Sequence, residues 1–120
     1  MTVSGWVDEQ LSPRIKIQLL SGSEIEFVID TGFNGEMVLP KQKLNQPHFK
    51  YRGLTIVELA DGSKVTSELY EGYIFWFGAE KKVRVHATES EDALIGTRML
   101  VGYIFQLDIE GNGVVVSPKI

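Results

Sequence analysis

Apolar and polar residues alternate at period two through most of this 120-residue chain, and turn signals cut the alternation into short runs. A pattern of that period cannot bury one face of a helix, so it constrains the chain to strands. Arg14-Ile15-Lys16-Ile17-Gln18-Leu19 and Glu24-Ile25-Glu26-Phe27-Val28-Ile29 flank Ser21-Gly22-Ser23, which predicts a β-hairpin. Thr55 to Leu59 and Lys64 to Tyr70 flank Ala60-Asp61-Gly62-Ser63, whose Asp-Gly pair suits the positive φ angles of a hairpin turn. Tyr73 to Phe77 and Val83 to Ala87 read as two more antiparallel strands, joined across Gly78-Ala79-Glu80. Ile104 to Ile109 and Val114 to Val116 read as a terminal hairpin around Glu110-Gly111-Asn112-Gly113. Between these runs lie Met37-Val38-Leu39, an irregular or weakly helical stretch from Pro40 to Pro47, and an acidic loop from Thr88 to Asp92. Leu94-Ile95-Gly96 is a short buried segment, and Thr97 to Val101 suits one or two helical turns with Thr97 as N-cap. The expected architecture is an all-β barrel or sandwich of about eight short strands. Residues 1–13 carry little pattern and are expected to form a loose arm before a single domain spanning 14–120.

Composition narrows the function classes. Twelve Lys and Arg against sixteen Asp and Glu give a net charge of −4, which supplies no field for phosphate, so nucleic acid is not an expected partner. The absence of Cys excludes disulfides, thiolate metal sites and a cysteine nucleophile. Asp8, Glu9, Gln10, Pro13, Arg14 and Lys16 break up the opening twenty residues, so neither a signal peptide nor a membrane span is expected there, and the expected location is cytoplasmic. His48 and His86 have no second ligand at metal spacing, no Gly-x-Ser-x-Gly elbow occurs, and Gly111-Asn112-Gly113 lies in a hairpin with no helix after it. Both histidines read as solvated or structurally satisfied, Phe75, Trp76 and Phe77 as core and sheet-surface aromatics, and no metal or cofactor is expected.

The segment that carries chemistry is Phe27-Val28-Ile29-Asp30-Thr31-Gly32-Phe33-Asn34-Gly35. An acid at the end of an apolar strand must be hydrogen-bonded, paired or protonated, because a lone ionised carboxylate there is costly. Thr31 adds a hydroxyl, and Gly32 lets the backbone approach closely, so together they can cradle the acid. By itself Asp-Thr-Gly reads equally well as a turn.

With its surroundings the sequence resembles the retropepsin-like aspartic proteases. Asp30-Thr31-Gly32 follows an apolar strand, Leu94-Ile95-Gly96 precedes a short helix over Thr97 to Leu100, and the hairpin Leu59 to Val65 lies between them, the three in the family's order. The resemblance covers Arg14 to Val116, and the terminal hairpin brings it nearest the bacterial and cellular subgroup. It implies a closed barrel of short antiparallel strands with one short C-terminal helix, a flap hairpin, and a homodimer acting on peptide or protein substrates. In aspartic proteases two adjacent carboxylates share one proton, so that one activates water while the other donates to the scissile carbonyl. This chain has one such motif; Asp8, Asp61, Asp92 and Asp108 lie in the arm, a turn, an acidic loop and a terminal strand. The second carboxylate must therefore be Asp30 of a second copy related by a two-fold axis.

The resemblance further implies that Asp30 is catalytic, that Thr31 bonds across the axis, and that Gly32 donates near the carboxylate. Leu94, Ile95 and Gly96 would support the loop from behind, while Asn34, Ala60, Asp61, Gly62 and Ser63 would contact substrate. Two positions depart from the viral pattern: Asn34 stands where many members carry an aspartate, and Thr97 precedes Arg98 where they carry arginine directly after the glycine. The alternative to a protease is a silent dimerisation or peptide-binding module of the same fold.

Overall fold

A computed structural model of the chain describes residues 1–119, in which the alternating runs become strands. In chain order these are β1 (Val3–Val7), β2 (Pro13–Gln18), β3 (Glu24–Ile29), β4 (Met37–Pro40), β5 (Phe49–Glu58), β6 (Lys64–Trp76), β7 (Ala79–Thr88), β8 (Ala93–Ile95), β9 (Tyr103–Asp108) and β10 (Gly113–Pro118). Two single-turn 3-10 helices, Lys41–Leu44 and Thr97–Leu100, are the helical content of the described residues. No helix among them is long and apolar enough to cross a membrane. The protein is all-β, as its alternation requires.

The strands form one sheet in the order β5-β6-β7-β4-β8-β3-β2-β1-β10-β9. It is mixed rather than antiparallel throughout, since β3 pairs with β8 and β4 with β7 in parallel. Nor does the ladder close: β5 and β9 end the order, and an isolated bridge between Leu19 and Ile74 ties the chain after β2 back to β6. The expected antiparallel arrangement is thus corrected to a single mixed sheet. The reason is β8, which arrives from far along the chain and inserts between β3 and β4 instead of pairing with a sequence neighbour.

Register across β3, β8, β4 and β7 separates two rows of side chains. Ile29, Ile95, Met37 and Val85 are partners in succession and are all buried in the core. One residue back on β3 and β8, and one onward on β4 and β7, the opposite face carries Val28, Leu94, Val38 and His86, continued on β6 by Leu69. The period of two therefore gives this sheet an apolar core face and a second, largely apolar face that receives the candidate site.

Four local expectations change. The loose arm is instead β1, paired antiparallel with β10 and β2. Gly5 hid it, because glycine weakens a strand pattern, yet here a Cβ would lie 1.8 Å from the Arg14 carbonyl oxygen. The two strands expected on either side of Glu71-Gly72 are one strand, β6. Gly72 is there for packing rather than for a turn, since a Cβ would lie 2.2 Å from the Phe49 ring. The β6–β7 turn is tighter than expected, at Phe77 (φ 53°) and Gly78 (φ 78°), the paired positive φ that suits a two-residue hairpin. The C-terminal helix is a single 3-10 turn in which Gly96 occupies the N-cap, so Thr97 caps nothing.

Candidate active site

Asp30 stands immediately after β3, where the chain must leave the sheet and return as β4. Its N–H donates to the Ile95 carbonyl at 2.9 Å, and its own carbonyl accepts from Phe33 N–H at 3.1 Å, closing a tight loop. One carboxylate oxygen, Oδ1, accepts the Gly32 N–H at 2.9 Å. This is the cradle that the motif's glycine makes possible.

The loop from Asp30 to Glu36 is braced by the segment that follows β8. Gly96 N–H donates to the Glu36 carbonyl at 3.0 Å, Thr97 N–H to the Phe33 carbonyl at 2.8 Å and Arg98 N–H to the Gly35 carbonyl at 3.3 Å, while the Thr97 hydroxyl reaches the same Phe33 oxygen at 3.4 Å. Gly96 admits no side chain, because a Cβ would sit 2.2 Å from the Gly35 oxygen and 2.6 Å from the Phe33 oxygen. Bracing at the two departures from the viral pattern is therefore done by backbone groups and a hydroxyl, with Asn34 and Arg98 exposed.

On one side Asp30 opens into a cavity of about 350 Å³. Gly32, Phe33, Val38 and Leu94 line it from the loop and the sheet, His86, Ala87 and Thr88 from β7, and Val57, Glu58, Leu59, Ala60, Val65 and Ser67 from the β5–β6 hairpin. Of the sequence-predicted site residues, Asp30, Gly32, Leu94 and Ala60 thus meet at one cavity. Ile95 and Gly96 are buried behind the loop; Thr31 and Asn34 lie exposed on it. Asp61, Gly62 and Ser63 form the exposed hairpin turn, with Gly62 at φ 85° and Asp61 Oδ1 accepting from Ser63 N–H at 2.9 Å. On its other side Asp30 borders a recess of about 410 Å³, lined among others by Thr31, Val28, Leu11, Phe105 and Leu107. A wider recess of about 720 Å³ beside Lys41, Phe49, Tyr51 and Tyr70 holds none of these residues.

Three of the other aspartates are committed to local structure. Asp8 bonds Arg14 and two backbone N–H groups, Asp61 bonds Ser63, and Asp108 accepts from Gly111 N–H. Among the described residues no three His, Asp or Glu side chains converge as a metal site would require.

Sequence reasoning missed His86. It was read as solvated or satisfied, yet its Nδ1 is buried without a hydrogen-bond partner, and its ring meets Phe33 edge to face at 5.8 Å. Burial, and secondarily the Arg84 charge, hold its pKa below the ordinary 6.5. An unfolded chain takes up this proton near 6.5 and the folded chain only at lower pH, so acid favours unfolding. The neutral ring's stability is intact above 6.5 and is lost as pH descends towards the lowered value. Urea unfolding across this window is expected to show that loss in the native protein and a flatter profile in His86→Leu; identical slopes would refute the assignment.

No family model matches the sequence, and no curated protein matches it. Among solved structures the chain is similar to a foamy viral protease-reverse transcriptase determined in complex with an RNA/DNA hybrid, with a TM-score of 0.61 and 14% sequence identity. The match covers 79% of this chain and 12% of that one, so the chain spans about an eighth of its neighbour's length and shares with it a fold.

Proposed function

We propose that the chain is a homodimeric aspartic endopeptidase in which Asp30 of two copies activates water between them. The observation that carries this reading is the setting of Asp30: a carboxylate held by the Gly32 N–H, braced from behind by Gly96 and Thr97, at the mouth of a cavity roofed by a hairpin. The fold likeness to a protein named for a protease activity supports it.

One carboxylate of the pair is ionised and the other protonated, because two adjacent charges cannot both persist. The ionised member takes a proton from water as its oxygen attacks the scissile carbonyl carbon, and the protonated member donates to the carbonyl oxygen. The resulting tetrahedral gem-diol then breaks its C–N bond as a proton passes to the leaving nitrogen. No acyl-enzyme forms. Thr31 and Gly32 fix the two carboxylates, and Leu94, Ile95 and Gly96 hold the loop. Asn34, Ala60 and the turn Asp61-Gly62-Ser63 meet an extended peptide as the hairpin closes and excludes water.

A dimer with Asp30 near its axis needs an adhesive surface beside that residue. The recess on the second side of Asp30 supplies one, with Leu11 61% exposed and Leu107 of β9 40% exposed, and β9 ends the strand order of the described residues. Incubation with a diverse peptide library between mildly acidic and neutral pH, read by mass spectrometry, is expected to give site-selective products. Activity per chain should fall on dilution in step with dimer dissociation measured by sedimentation. Cleavage that persists undiminished in the monomer range would overturn the shared site, and the absence of products would favour the silent module.

A further inference from the structure

We propose that a basic recess on β5, β6 and β7, one step along the sheet from the cavity beside Asp30, holds an acidic segment of the protein substrate. This rests on the peptide-binding part of the proposed function. Register puts Lys50, Glu71 and Arg84 in one cross-strand row, and Tyr73 with Lys82 in the next row of the same face. On the other side of the Glu71 row, that face continues to Leu69 and His86, and His86 lines the cavity. Rows of one face lie about 7 Å apart along a strand, so the cations begin about one side-chain length from the cavity. His48, Lys50, Arg52, Glu71, Tyr73 and Lys82 are among the residues that line the recess, whose volume is about 270 Å³.

Charge selects the ligand. Glu71 stands at the centre, with Arg52 Nε 2.7 Å from one carboxylate oxygen and Lys82 Nζ 3.7 Å from the other. Its row neighbours Lys50 and Arg84 are exposed and make no ion pair among the described residues. The Glu36 carboxylate accepts the Arg84 N–H at 2.8 Å. Against Glu71 and Glu36, the four cations leave a positive patch on a chain whose net charge is −4. Cations gathered on one face repel each other, and carboxylates arriving from a partner relieve that repulsion. Three strands span about 10 Å, which suits a few carboxylates of an extended segment and is too short for the run of phosphates that nucleic-acid affinity needs. A chain leaving the cavity advances about 3.3 Å per residue, so its acidic residues reach the cations about two to four residues on.

The test uses full-length Asp30→Asn protein and capped hexaglutamate, with a glycine-serine hexamer as the neutral comparison. Hexaglutamate should bind at least about tenfold tighter at low salt and lose that margin at high salt. It should shift the imidazole NMR resonances of His48, in the recess, while those of His86, the only other histidine, stay in place. Lys50→Glu combined with Lys82→Glu should abolish the margin. Lys43→Glu combined with Lys119→Glu, exposed lysines elsewhere that change the net charge equally, should keep it to within about twofold. Thermal unfolding verifies that each variant is folded. In the native protein, a cleaved peptide extended on one side by glutamates should show a KM about tenfold lower, at unchanged kcat, than the same peptide extended by glycine and serine. Equal hexamer affinities, a margin that survives Lys50→Glu with Lys82→Glu or vanishes in the distant pair, or an oligonucleotide of matched charge binding tighter than hexaglutamate would each overturn the inference. Hexaglutamate binding without cleavage of any peptide removes the endopeptidase reading alone, whereas cleavage indifferent to the acidic extension removes the acidic-segment assignment alone.

Discussion

Replacing Asp30 with asparagine is expected to lower peptide cleavage by at least about a thousandfold, the scale of lost general acid–base catalysis, while leaving the melting temperature within a few degrees of native. The carboxamide can still accept the Gly32 N–H that Asp30 Oδ1 now holds at 2.9 Å, so the loop keeps its local hydrogen bonds. What it cannot do is take a proton from water. In a symmetric dimer the change enters twice and removes both the base and the acid. Mixing sharpens the test: native and Asp30→Asn chains, allowed to exchange in equal amounts, should leave about one quarter of the dimers with two aspartates. Activity near a quarter of the native value identifies a site built from both copies. Activity near a half assigns the chemistry to single chains and sinks the two-fold dyad.

The second large effect is structural. Gly96→Ala should cost about 3 kcal/mol and drop the melting temperature by roughly 10 °C, with cleavage lost beyond what unfolding explains. Its Cβ would meet the Gly35 oxygen at 2.2 Å and the Phe33 oxygen at 2.6 Å, contacts with main chain that no rotamer change relieves. Relief requires moving the loop that carries Asp30. Gly22→Ala, in the β2–β3 turn away from the site, is the matching control, because a Cβ there meets nothing within 4 Å and the cost comes only from its φ of 94°, about 1 kcal/mol. Chemical denaturation of the two variants beside initial cleavage rates separates the cases. If Gly96→Ala proves no worse than Gly22→Ala, the close packing behind the loop is not what holds Asp30.

The strands were legible wherever alternation met a turn signal. Ile15, Ile17, Phe27 and Ile29 were spaced for one face and are buried on it. Asp30 was legible because an acid ending an apolar strand is unusual and its two followers suit a cradle. What escaped depended on contacts between distant segments. Gly5 and Gly72 looked like interruptions because a sequence does not reveal which neighbour a missing side chain makes room for. The parallel pairing of β3 with β8 and of β4 with β7 had no local signature. His86 sat in the alternation Val83-Arg84-Val85-His86-Ala87 on the face opposite the core, where polar residues normally meet water. Only cross-strand register, with Val38 on one side and Leu69 on the other, turned that face into the floor of a cavity.

The insertion of β8 between β3 and β4 also sets the order in which the molecule can be built. The Asp30 loop takes its bracing from residues 93–98, and the bond from Thr97 to Phe33 spans 64 residues of sequence. Closing so long a loop is entropically slow, and the central pairing cannot form until that late segment has been synthesised. A growing chain can fold its β2–β3 hairpin early, but the acid at the hairpin's end stays unsupported until residues 93–98 have emerged and docked. The Asp30 loop therefore matures well after the strand that carries it, and its carboxylate spends the early part of folding outside its final setting.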